Sequence, residues 1–153
     1  MSMVASHLHH YLNGWKRSPL LKVCTSVAFL PPNLCAFHVD SVRITKPVTE
    51  WGLQGLTSLS SMKIRGDDIV NMFLKELKMP ISLVSLTIQY VSETKSLEGN
   101  GLGHLSSLKE LCVSEFLELV SLPEKSLPSS LKSLYFYDCP RLVIARRRPA
   151  FFS

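Results

Sequence analysis

LPSSLKSLYFYDCP, residues 127 to 140, places Pro128 ahead of three apolar residues, Leu131, Leu134 and Phe136, with serine, lysine and tyrosine between them. An extended chain sends alternate side chains to opposite faces. Leu134 and Phe136 therefore share one face, and Ser133, Tyr135 and Tyr137 the other. The same apolar-x-x-apolar-x-apolar spacing occurs four times upstream: at Leu34, Phe37, Val39; at Leu59, Met62, Ile64; at Leu83, Leu86, Ile88; and at Leu108, Leu111, Val113. Successive first anchors stand 25, 24, 25 and 23 residues apart.

A spacing held that closely over five segments is the period of a leucine-rich repeat. It predicts an α/β solenoid: a horseshoe segment of about five repeats of 23–25 residues, with a short parallel β-sheet on the concave face and a mostly irregular or short helical convex side. Two kinds of lead-in alternate. LPPNL (30–34), MPISL (79–83) and LPSSL (127–131) bring the chain in through Pro-x-x-Leu, whereas WGLQGLTSL (51–59) and NGLGHLSSL (100–108) use Gly-Leu-x-x-Leu-x-Ser-Leu. Pro31, Pro80 and Pro128 precede the strands, where a missing N–H removes no ladder bond. Burying three anchors contributes about 1.5–3 kcal/mol for each, while ordering roughly 25 residues of backbone costs about 1–2 kcal/mol per residue. No repeat folds alone, and stability comes from stacking on neighbours.

The totals agree with one folded unit: 153 residues, 46% apolar and 19% charged. The formal charge is +5, but Arg141, Arg146, Arg147 and Arg148 lie in a final segment without acids, so the remainder is close to neutral. That argues against a nucleic-acid surface, which needs basic residues spread along one face. Cys24, Cys35, Cys112 and Cys139 form no C-x-x-C pair, and no Asn-x-Ser/Thr acceptor occurs; both point to a reducing, intracellular setting. Lys22 interrupts the apolar stretch from Leu20 to Leu30, and no run is long enough for a membrane span. The chain divides into a divergent N-terminal cap or irregular segment (1–29), a repeat domain (30–145) and a basic C-terminal tail (146–153). In the first segment Val4, Leu8, Tyr11, Leu12 and Trp15 fall near helical spacing, with Asn13 and Gly14 able to end a helix. The alternative there is a decayed repeat anchored on Leu8 and Tyr11.

WGLQGLTSL, SLEGNGLGHLSSLKEL, SLPEKSLPSSLKSLYFYDCPRL and LPPNL resemble the C-terminal leucine-rich repeats of plant intracellular disease-resistance proteins, the class with a coiled coil and a nucleotide-binding domain. The resemblance covers about residues 30 to 145. It implies a non-catalytic protein-binding module with a role in defence: recognition of a pathogen effector or guarded host protein, and restraint of a nucleotide-binding switch. The implied setting is cytoplasmic, with the nucleus as second compartment, and the implied partners are proteins, including the nucleotide-binding domain itself. No G-x-x-x-x-G-K-[ST] occurs, so no phosphate cradle and no nucleotide cofactor are assigned. The family places Asn or Cys three residues after the last anchor; here Val42, Asp67, Val91, Phe116 and Cys139 stand there, and only Cys139 fits. A repeat adaptor of a ubiquitin ligase is the rival, although residues 1–29 are short for an F-box-like segment. A truncated, non-functional product is the other.

Other chemistry reads as incidental. His7, His9 and His10 lack the converging partners a metal needs, so no metal site is assigned. GNGLG (99–103) puts His104 where a dinucleotide loop needs its third glycine, and reads as a turn. Cys112 and His38 fall three strands apart, roughly 14 Å, too far for a nucleophile and base. No enzyme is predicted. Arg146 to Arg148 read as a solvated tail.

Function is expected on the outward strand positions. They form three columns: Ala36, Ser61, Ser85, Glu110, Ser133; then His38, Lys63, Thr87, Cys112, Tyr135; then Asp40, Arg65, Gln89, Ser114, Tyr137. Aromatic and arginine side chains dominate interface energetics, which singles out Arg65, Tyr135 and Tyr137, followed by Lys63, Gln89 and His38.

Overall fold

The structure, a computed structural model, describes residues 20–23, 30–40, 48–76, 79–97, 102–122 and 124–143. Six strands form one parallel sheet in sequence order: β1 (Leu20–Val23), β2 (Ala36–Val39), β3 (Ser61–Arg65), β4 (Ser85–Val91), β5 (Glu110–Phe116) and β6 (Ser133–Tyr137). The register reproduces the repeat spacing. Phe37, Met62, Leu86, Leu111 and Leu134 pair across one rung, and Val39, Ile64, Ile88, Val113 and Phe136 across another. Every anchor of the middle repeats is fully enclosed, and only Phe136 on the last strand stays partly exposed. The small sheet with few helices has a repeat-like arrangement, each strand resting on its neighbours in the chain.

Both lead-ins form one turn. The N–H groups of Leu34, Leu83 and Leu131 donate to the carbonyls of Pro31, Pro80 and Pro128, and those of Leu59 and Leu108 donate to Leu56 and Leu105 at the same place, all at 3.1–3.2 Å. Proline stands in for leucine there because this turn uses the residue's carbonyl; the further bonds that the Leu56 and Leu105 N–H groups donate to Leu53 and Leu102 have no counterpart from proline, which lacks an N–H. The serine of each later Pro lead-in adds a clamp. Ser82 Oγ donates to the Leu56 and Leu59 carbonyls at 3.1 and 2.7 Å, and Ser130 Oγ to those of Leu105 and Leu108 at 3.2 and 2.8 Å. Each hydroxyl thus ties a Pro repeat to the Gly-Leu repeat before it.

The chain leaves its strands through a shared left-handed residue. Gly66, Tyr90, Glu115 and Asp138 have φ of 100, 57, 57 and 51°, and Tyr90 and Glu115 sit between the paired rungs Gln89–Ser114 and Val91–Phe116. A side chain costs about 1–2 kcal/mol there, so the residues beyond the turn must hold it in place. After Gly66 the chain opens into helix α1 (Asp67–Glu76). Asp67 and Asp68 favour its N-terminus and Lys75 its end. Ile69, Val70 and Phe73 are fully buried on its inner face. Elsewhere the connections use single 3-10 turns at Val48–Trp51, Leu53–Gly55 and Glu124–Ser126.

Strand β1 is unmarked by the repeat pattern. Leu20 pairs with Ala36 across an interval much shorter than the repeat, so no anchors announce it. The helix expected over Val4–Trp15, the decayed repeat at Leu8 and Tyr11, and the histidine cluster all lie outside the described residues, as do Arg146 to Arg148. Arg141, ahead of that tail, forms an ion pair while staying 62% exposed: its Nη1 donates to Glu118 Oε2 at 2.7 Å. No helix among the described residues is long and apolar enough to cross a membrane.

Candidate functional site

Strand alternation turns the residues between the core anchors to the opposite face. In register, His38, Lys63, Thr87, Cys112 and Tyr135 make one row, and Arg65, Gln89, Ser114 and Tyr137 the next. All six residues chosen from the sequence therefore come together on one face, and all six are half-buried. The middle of that face is built from small residues: Thr87, Cys112 and Ser114 are only 5, 8 and 5% exposed. Lys63 and Arg65 stand on the β3 side of it, and Tyr135 and Tyr137 on the β6 side, four strands in all from wall to wall.

Arg65 is fixed on both flanks. Its Nη1 lies 3.6 Å from Asp40 Oδ2, and its guanidinium carbon 4.1 Å from the centre of the Tyr90 ring, a cation–π geometry. This brace borders an open cavity of about 690 Å3 at the C-terminal ends of β3 and β4, lined also by Gly66, Asp67, Asp68, Ser92 and Glu93. Asp67 closes its floor. Its carboxylate accepts the Ser92 N–H at 3.0 and 3.1 Å, the Ser92 hydroxyl at 2.6 Å and the Glu93 N–H at 3.1 Å. Burial alone would push the Asp67 pKa up, but these hydrogen bonds together hold it below its ordinary value.

Asp67 corrects the sequence reading of the position after the last anchor. Cys139 does use its thiol there, reaching the Tyr137 carbonyl at 3.3 Å and the Val113 carbonyl at 3.8 Å. Asp67 does the equivalent work across to the next repeat, while Val91 and Phe116 face the core instead. A polar, hydrogen-bonding side chain at that rung was the available signal. Because its folded pKa is lowered, Asp67 stabilises the protein above its ordinary pKa, and that contribution fades as pH falls through the folded value. Asp67→Ala is expected to cost about 1–2 kcal/mol at pH 7, and urea melts at pH 3 should bring variant and wild type closer together.

No protein-family model, curated protein or solved structure matches the chain.

The chemistry weighed from the sequence finds no converging site among the described residues. Cys112 and His38 are separated by β3 and β4, and burial pushes the Cys112 thiol up to about 11, so it stays protonated near neutrality. No group of three or more His, Cys, Asp or Glu side chains among the described residues could hold a metal ion. The dinucleotide-like loop falls largely outside the described residues. His104, in place of its third glycine, sets Nε2 3.1 Å from the Met79 carbonyl, which ties this turn to the preceding repeat.

Proposed function

We propose that the chain is a non-catalytic, protein-binding leucine-rich-repeat module whose parallel sheet lines the concave side of a horseshoe. The carrying observation is the alignment of Lys63, Arg65, Gln89, Tyr135 and Tyr137 in two adjacent rows opposite the core. Two tyrosines and a braced arginine offer rigid contact area, the kind that concentrates binding energy. With the resemblance to plant intracellular disease-resistance proteins, the module serves a cytoplasmic immune receptor, sensing an effector or guarded host protein and restraining a nucleotide-binding switch.

Photo-crosslinking tests the face directly. A crosslinking residue at position 135 or 137 is expected to capture a protein from leaf extract, whereas one at position 106, on a lead-in turn, is not. Combined Tyr135→Ala and Tyr137→Ala substitution should weaken that capture by roughly 30-fold or more. Equal capture from position 106 would remove the face from consideration. The receptor assignment is tested separately by the transcript: a phosphate-binding loop encoded upstream in frame supports it, and a transcript without one overturns it.

A further inference from the structure

Four carboxylates, Asp40, Asp67, Asp68 and Glu93, and a single guanidinium, Arg65, line the open cavity of about 690 Å3 at the C-terminal ends of β3 and β4. Two of the four are engaged. Asp67 uses both oxygens on Ser92 and on the Glu93 N–H, and Asp40 is paired with Arg65 at 3.6 Å. Asp68 and Glu93 are exposed, and neither carboxylate makes a hydrogen bond or ion pair with another described residue. Asp67 accepts the Glu93 N–H and directly precedes Asp68, so the two open carboxylates flank one clamp. Like charges held on one clamp repel, and a cation placed between them relieves the repulsion.

The same cavity shows which kind of cation fits. The Arg65 guanidinium sits 4.1 Å from the centre of the Tyr90 ring with Asp40 beside it, so one carboxylate and one ring already hold a guanidinium here. Tyr90 is nevertheless 51% exposed, and it lines the cavity together with Asp68 and Glu93. A ring open to solvent and two carboxylates repeat the chemistry that holds Arg65, with no second guanidinium among the described residues to use it. Guanidinium groups are planar, stack on aromatic rings and bond carboxylates through paired N–H groups. A metal ion fits less well, because no three ligands converge among the described residues and the Asp67 oxygens are already in use.

We propose that this cavity receives an arginine side chain of the partner protein, with Asp68 and Glu93 pairing its guanidinium and Tyr90 offering the ring. The inference rests on the reading of the neighbouring outward face, to which Arg65 belongs, as a partner surface, and adds the side chain selected at its border. Asp68, Tyr90 and Glu93 are all exposed, so the arginine enters without rearrangement of the walls. Attraction is confined to this place: the whole chain carries a formal charge of +5, which does not draw a cationic peptide indiscriminately.

The test uses the full chain and three capped hexapeptides that alternate serine with arginine, with citrulline or with lysine, followed by NMR. The arginine peptide is expected to shift the Asp68, Ser92 and Glu93 amides and the Tyr90 ring saturably. It should bind about tenfold more tightly than the citrulline peptide, which has the same shape without the charge. Asp68→Asn with Glu93→Gln keeps the volume of both side chains and removes no bond to another described residue, so the variant stays folded and should lose the preference. Equal binding of the arginine and citrulline peptides, or absence of any shift, overturns the arginine pocket, and the crosslinking at positions 135 and 137 then judges the face by itself. Equal binding of the lysine peptide, or the same shifts from magnesium chloride at the same concentration, would make the cavity a general cation site and overturn the commitment to arginine. The same shifts on concentrating the protein alone would make a second copy of the chain the occupant, and would overturn the assignment to a different partner.

Discussion

Trp51→Ala is expected to lower the stability of the protein by about 3–5 kcal/mol, measured by urea unfolding at neutral pH. Trp51 lies on the turn leaving the first repeat, and its ring is the middle of an aromatic stack. It meets Phe37 of β2 edge-on at 6.2 Å and 82°, and Phe73 of α1 at 6.1 Å and 77°. Phe37 and Phe73 are wholly enclosed and Trp51 is 7% exposed, so removal leaves a void that neither neighbour can fill without leaving its own packing. Two edge-to-face contacts add about 0.5–1.5 kcal/mol each beyond the buried area. Trp51→Phe keeps part of both contacts and should recover a substantial part of the loss. A cost below about 1 kcal/mol for the alanine variant would mean that the first repeat does not lean on this stack.

The second large effect comes from comparing one substitution at two places. Leu86 and Leu134 occupy the same rung, but Leu86 has strands on both sides whereas Leu134 lies on β6, the outermost strand among the described residues. Leu86→Ala is expected to cost about 3–5 kcal/mol, near the upper range for a buried leucine that cannot be compensated by collapse. Leu134→Ala should cost roughly half as much, since Leu134 keeps 8% exposure where Leu86 has none. Paired melts decide the matter: equal losses would mean that the repeats unfold as one indivisible block, with no gradient toward the edge.

Much of this architecture could be read from the chain because stacked repeats convert sequence separation directly into neighbourhood. The intervals between Leu34, Leu59, Leu83, Leu108 and Leu131 are the same offsets that set the strand register, so the rows of the outward face followed from counting. Strand β1 escaped because its pairing breaks the interval and its residues carry no anchor pattern. The role of Asp67 escaped for a different reason: its carboxylate acts on Ser92 and Glu93, partners one repeat away that no local motif marks. The enclosure of Thr87 and Ser114 depends on the side chains around them, and two small polar residues on an outward face read as solvent contacts until their surroundings are known.

The serine clamps constrain one side of each junction only. Ser82 and Ser130 each reach back to a Gly-Leu repeat, and Ser60 Oγ reaches back at 3.3 Å to the Cys35 carbonyl, so among the described residues a serine hydroxyl crosses three of the junctions between neighbouring strands. Each of these bonds ends on a backbone carbonyl, a group that every residue carries, so the side chains of the preceding lead-in can change without stranding the hydroxyl.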